Sequence, residues 1–264
     1  MTNYLIDTHS HIYSEEFDKD KQEVVEAANN AGIKQILLPN IDRTTIDRMM
    51  ELSSLYPNRI FPMMGLHPTS VKEDFEIELT IIEEWLEKSS FYAIGEIGID
   101  LYWDKTFLKE QILVFEKQIE LALKYDLPIV IHARESFDEI FEVLDRKYTN
   151  RLRGVFHSFT GNLEQAQKII NDYHFNLGIN GIVTFKKSHL PNVLENIELK
   201  HILLETDAPY LSPEPKRGKR NESAFLYYIA EKIAHIYNLD VDDIANITSQ
   251  NAIKLFKLPH DNEN

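Results

Sequence analysis

Tyr4-Leu5-Ile6-Asp7-Thr8-His9-Ser10-His11 is the stretch on which the fold turns. A short apolar run ends in a polar segment that carries two histidines at spacing two. In an extended segment such residues point to the same side, so both imidazoles can reach one metal ion. A pair of loop histidines that only hydrogen-bond is the plainer alternative. The same unit, a short apolar strand followed by an unusual polar residue, recurs along the chain. Strands are read at residues 4–6, 35–38, 60–64, 92–94, 129–131, 155–156, 175–177 and 202–204. They are apolar along their length, as parallel strands buried on both faces are. Helical patterns fill the gaps at 21–31, 44–55, 77–87, 107–125, 137–148, 163–172, near 190–195 and at 222–237, with helical turns continuing to 256.

This alternation implies βαβ units and a parallel sheet, and eight strands favour a closed (β/α)8 TIM barrel over an open sheet. The 264 residues suit one such barrel, here 1–258, with a short tail at 259–264. The placement of chemistry-bearing residues argues the same way. His9 and His11 follow strand one, His67 follows strand three and Glu96 ends strand four; His132, His157 and Asp207 follow strands five, six and eight. All fall at C-terminal strand ends, where barrel enzymes build their sites. Residues spread over two hundred positions meet only if the strands close into a ring.

Composition narrows the classes. There is no cysteine, which removes disulfides and thiolate metal sites and agrees with a cytoplasmic setting. No segment approaches the roughly 20 apolar residues of a membrane helix, so no membrane role is expected. The net charge of −15 argues against a protein that coats duplex DNA. It leaves open an enzyme that admits one strand end to a cation-filled pocket.

Five clusters carry the chemistry. Besides His9 and His11, Glu96 stands among the glycines of Gly95-Glu96-Ile97-Gly98-Ile99-Asp100, where its two oxygens can each take one cation; a solvated loop acid is the alternative. Asp100 is either an outer hydrogen-bond partner or a helix cap. His132 and His157 each follow an apolar strand. Asp207, directly after a buried strand, needs a partner for its charge, and it can serve as general base. Glu205 can orient a metal-bound histidine. Together these residues suffice for two divalent cations sharing Glu96: one with His9, His11 and Asp207, the other with His132 and His157. Nitrogen and oxygen donors without thiolate suit zinc, manganese, cobalt or magnesium. Such a pair can drive in-line displacement at a phosphodiester.

Softer signals surround this core. His67 in Gly65-Leu66-His67-Pro68 is a substrate contact, a proton donor or part of a structural turn. Arg134 either grips phosphate or pairs with Glu135 or Asp138. Arg217 and Arg220, in the basic run Lys216-Arg217-Gly218-Lys219-Arg220, either hold a nucleic-acid backbone or decorate a solvated loop. Tyr102 and Trp103 either stack on a base or pack.

In order, IDTHSH (6–11), GLHP (65–68), GEIGID (95–100), PIVIHARE (128–135), FHSFTG (156–161), LGINGIVTFK (177–186), LLETDAPYL (203–211) and RGKRNES (217–223) resemble the TatD family of metal-dependent deoxyribonucleases, within the amidohydrolase-like barrels. The resemblance spans nearly the whole chain. It places His9, His11, Glu96, His132, His157 and Asp207 on the family's metal positions. It implies 3′–5′ exonuclease action on DNA, favouring single-stranded ends. Asn221-Glu222-Ser223 departs from the family's usual Asn-Glu-Pro, and Ser158 stands where cysteine is frequent. A second activity ascribed to family members, deacylation of D-aminoacyl-tRNA, would use the same ligands. A monomer is expected.

Overall fold

The computed structural model describes residues 4–259. The tail expected at 259–264 therefore lies, beyond its first residue, outside the described residues. Eight strands alternate with helices: β1 (Leu5–Asp7), α1 (Lys21–Asn30), β2 (Ile33–Pro39), α2 (Ile46–Leu55), β3 (Ile60–Met63), α3 (Phe75–Lys88), β4 (Ile94–Asp100), α4 (Leu108–Tyr125), β5 (Ile129–Arg134), α5 (Phe137–Lys147), β6 (Gly154–Phe156), α6 (Leu163–Asn171), β7 (Asn176–Ile179), α7 (Leu190–Leu194), β8 (Ile202–Leu204), α8 (Leu226–Tyr237) and α9 (Val241–Phe256). No helix among the described residues is long and apolar enough to cross a membrane.

All strand pairings are parallel, in the runs β1-β2-β3 and β4-β5-β6-β7-β8. The runs join at both ends. Met64 bridges Ile94, and Ser10 bridges Ala208; the Thr8 amide donates to the Leu204 carbonyl at 3.1 Å. Asp7 strengthens the second seam by accepting from the Thr206 amide at 2.9 Å and the Thr206 hydroxyl at 2.6 Å. The ring is the expected (β/α)8 barrel.

Alternation sorts the side chains into two layers. Ile6, Leu37, Phe61, Met63, Ala93, Val130, Val155 and Leu203 fill the interior. Their neighbours, such as Ile36, Ile131, Phe156 and Leu204, face the helices. Helix α9 closes the barrel's lower mouth with Ala252, Ile253, Leu255 and Phe256. It is a separate helix rather than the loose turns expected. Helix α4 shows why the outer layer packs: Gln111, Val114, Phe115, Gln118, Ile119 and Ala122 recur on one face at helical spacing.

Strand β4 departs most from the sequence reading. It runs Ile94–Asp100, not 92–94, so Glu96 lies inside it rather than at its end. Glycines and acids make this stretch read as a turn. Burial of all seven residues, paired with β5, overrides that local signal.

Candidate metal centre

Above the apolar interior, the C-terminal strand ends surround a cavity of about 480 Å³ lined by His11, His67, Glu96, His132, His157 and Asp207. Glu96 is its buried hub. One oxygen lies 3.0 Å from Nε2 of His9 and 3.7 Å from Nε2 of His11. The other lies 2.7 Å from Nδ1 of His132 and 3.4 Å from Nε2 of His157. Asp207 joins the first group, 3.6 Å from His11 and 3.9 Å from His9. The six residues thus converge, five of them grouped about the two oxygens of the sixth, Glu96. His9 and His157 stack at 3.5 Å between ring centroids.

The surrounding hydrogen bonds set which nitrogens face the cavity. The Tyr13 hydroxyl donates to the Pro39 carbonyl at 2.6 Å. Its one proton is spent, so in its 3.0 Å contact with His11 Nδ1 must be the donor. The lone pair on Nε2 then faces Glu96 and Asp207. Glu205, buried beneath, forms a 2.9 Å ion-pair contact with Nδ1 of His157, whose Nε2 faces Glu96. His67 is the reverse case. Its Nδ1 accepts from the Thr69 amide at 3.2 Å, so the neutral ring carries its hydrogen on Nε2, 3.4 Å from Glu96. His67 therefore presents a donor to the cavity where His11 presents a lone pair.

Burial and crowding shift the titrations. Burial lowers His11 to about 4, and Glu96 opposes this only in part. Burial also disfavours charge on His157, but Glu205, Glu96 and Asp207 outweigh it and push the ring up to about 10. Asp207 rises to about 7, through burial against the nearby Glu96 and Glu205, with His157 opposing. Glu96 is held well below the usual carboxylate range because the surrounding histidines overcome its burial.

The ion-pair partners of Glu96 and Asp207 among the described residues are histidines; no lysine or arginine neutralises them. A ring nitrogen of His9, Nδ1, is buried without a hydrogen-bond partner. Imidazoles and carboxylates gathered this closely, with no basic side chain among them, fit a divalent cation centre.

At the rim, Arg134 is exposed and lines the cavity. Its guanidinium lies 3.8 Å from the Tyr102 ring centroid and 5.3 Å from that of Trp103, not against Glu135 or Asp138. Arg217 and Arg220 are not among the residues lining the cavity. Arg220 spends its donors on Asp20 (2.9 and 2.6 Å), the Glu16 carbonyl (2.6 Å) and Glu222 (3.2 Å). Arg217 donates to the Ser212 carbonyl and covers Phe185. For Arg220 the expected substrate contact is corrected to a structural one, because carboxylates and a carbonyl satisfy its fork; Arg217, exposed and with a single carbonyl bond, lies outside the cavity lining.

Asp100, read from the sequence as an outer hydrogen-bond partner or a helix cap, holds Nε2 of His132 at 2.8 Å while accepting the Tyr102 and Trp103 amides. Other contributors escaped the sequence reading. From α4, Gln111 braces Asp100 and Gln118 braces Leu66, each by paired backbone hydrogen bonds. Asn221 ties the loop after Asp207 through the Thr206 and Tyr210 carbonyls. Nothing in the sequence singles out the two glutamines from the rest of α4.

Residues 6–257 match the family model described as TatD related DNase. The uncharacterized metal-dependent hydrolase YabD of Bacillus subtilis is 38% identical over 96% of this chain and 99% of its own length. The Escherichia coli hydrolase YjjV is 29% identical over 97% and 98%; the crystal structure of this TatD homologue superposes with a TM-score of 0.91, covering 98% of this chain and all of that one. The fold extends to the phosphotriesterase homology protein of Escherichia coli, complexed with phosphate in its active site, at 13% identity, a TM-score of 0.69 and coverage of 95% and 99%. With the ligand constellation in place and the match running nearly end to end, the chain belongs to the TatD-related DNase family and is a metal-dependent hydrolase.

Proposed function

We propose that the protein is a deoxyribonuclease that removes nucleotides from single-stranded DNA ends in the 3′–5′ direction, using two divalent cations that share Glu96. The observation that carries this reading is the division of the Glu96 carboxylate, one oxygen facing His9 and His11 and the other His132 and His157. Cations bound there would supply Lewis acidity, acidifying water and drawing charge from the phosphodiester. The chain's own residues do the rest. Asp207, held among carboxylates that favour its protonated form, receives the proton of the attacking water. His67 directs its Nε2 hydrogen toward the leaving oxygen. Arg134 holds a phosphate at the rim, where the half-exposed Tyr102 and the more exposed Trp103 offer faces to a base. A cavity closed below by the barrel interior suits a strand end better than a continuous duplex.

The test incubates purified protein with end-labelled single-stranded DNA and with D-aminoacyl-tRNA, each with divalent metal and with chelator. Stepwise loss of nucleotides that stops with chelator, and is absent in a His132→Ala, Asp207→Ala double variant, is the expected result. Cleavage indifferent to chelator, or release of the amino acid with DNA untouched, overturns the reading.

A further inference from the structure

At the opposite end of the barrel, where β6, β7 and β8 begin beside α9, lies a second cavity of about 340 Å³. Arg153, His174, Lys200, His201, Asn251 and Lys254 line it, and no carboxylate does. The chain carries 43 acidic side chains against 28 basic ones, so a hollow ringed by cations and imidazoles runs against its overall charge. We propose that this cavity binds a phosphorylated small molecule of nucleotide size, with the phosphate held by Arg153, Lys200 and Lys254.

Three observations support the assignment. First, the positive charge is only partly compensated. Asp126 is the carboxylate beside Arg153, at 2.9 Å, and it is shared with Lys257 at 2.6 Å. Lys254 has no ion-pair partner among the described residues. Lys200 pairs with Glu198 at 2.8 Å, but both side chains are largely exposed, and such pairs open at little cost. Second, Arg153 is preset. Its terminal nitrogens donate to the Asp126 side chain and carbonyl, while its Nε is buried with no hydrogen-bond partner. A held guanidinium loses less freedom when it meets an oxyanion. Third, the space exceeds what a bare phosphate fills and lies at the lower end of small-molecule pockets, roughly 300–1,000 Å³. The Asn251 amide group donates to the Leu199 and Ile202 carbonyls, which leaves its side-chain oxygen as an acceptor for a ligand N–H or O–H. A bare phosphate offers little to such an acceptor; a nucleoside does.

This inference stands apart from what the upper cavity cleaves. The experiment is calorimetric titration of the full, metal-loaded chain with deoxyadenosine 5′-monophosphate and, separately, with inorganic phosphate. Both are repeated on Arg134→Ala, on a K200E, K254E double variant and on the milder K200A, K254A pair, with thermal unfolding as a check on folding. We expect nucleotide binding tighter than about 1 mM that survives Arg134→Ala. It should weaken about tenfold or more in K200E, K254E and less in the alanine pair, and it should fade as salt is raised. No saturable binding up to about 10 mM overturns the proposal. So does binding that ignores the lysine variants, whether or not Arg134→Ala weakens it, because that places the nucleotide outside the lower cavity. Equal affinity for inorganic phosphate overturns the nucleotide-sized ligand.

Discussion

Glu205 Oε1 lies 2.9 Å from Nδ1 of His157 and also accepts the Ser158 amide at 2.6 Å. The carboxylate is therefore fixed from two sides and fixes the imidazole in turn. Gly178 makes room for it, since a Cβ there would collide with the Glu205 carboxylate. Replacing Glu205 with glutamine keeps the shape but removes the charge that orients the ring. Metal affinity should fall about 10–100-fold, as for other outer partners of metal-bound histidines, and Gly178→Ala should act the same way by displacing the carboxylate. Competition with a chromophoric chelator measures both; unchanged affinity in Glu205→Gln would remove this role.

Metal uptake should release protons, and more of them at lower pH. Ligands must be deprotonated to bind. In the metal-free protein His157 is held protonated, with its value near 10, and Asp207 titrates at about 7. At pH 6 both carry a proton, and so does His132, whose burial is outweighed by Asp100 and Glu96, which hold it above its ordinary value. Loading should therefore expel about three; at pH 8 Asp207 is already ionised and the count should be lower. Calorimetry in buffers of different ionisation enthalpy gives the number directly. A count that is flat or rises with pH would contradict the assignment.

The two histidine types should separate in kinetics. His67→Ala removes a donor to the leaving oxygen, so turnover on DNA should drop about 10²–10⁴-fold. An activated aryl phosphodiester, whose leaving group needs no proton, should be hydrolysed nearly as before. Bound metal should stay constant. If metal is lost with the side chain, His67 is a ligand and the tautomer argument fails.

Arginines 134 and 220 should divide between binding and stability. Arg220→Ala breaks the bidentate contact with Asp20 and the bond to Glu16, lowering stability by about 1 kcal/mol after allowance for its partial exposure. KM for DNA should hold. Arg134→Ala should leave the unfolding midpoint in place and raise KM about tenfold. Urea titration and steady-state kinetics on both variants decide the matter; the opposite pattern would return Arg220 to the substrate.

Glu96 and His132 lie within β4 and β5, but the strand–helix alternation and the position of His9, His11, His157 and Asp207 beyond their strands were legible in the linear sequence. Both depend on local pattern: apolar runs of strand length, helical spacing between them, and polar residues that interrupt each run at the same end. What the pattern could not supply was the partner of each side chain. Arg217 and Arg220 look like free cations in a basic run, yet Asp20, some two hundred residues earlier, claims Arg220. Gln111 and Gln118 look like helix surface, yet they brace the end of β4 at Asp100 and the loop that carries His67. The direction of each imidazole is likewise a tertiary matter, because Tyr13, Thr69 and Glu205 decide which nitrogen keeps its proton. Pattern reports which faces are buried, whereas hydrogen-bond geometry arises only once closure of the ring brings distant segments within about 3 Å.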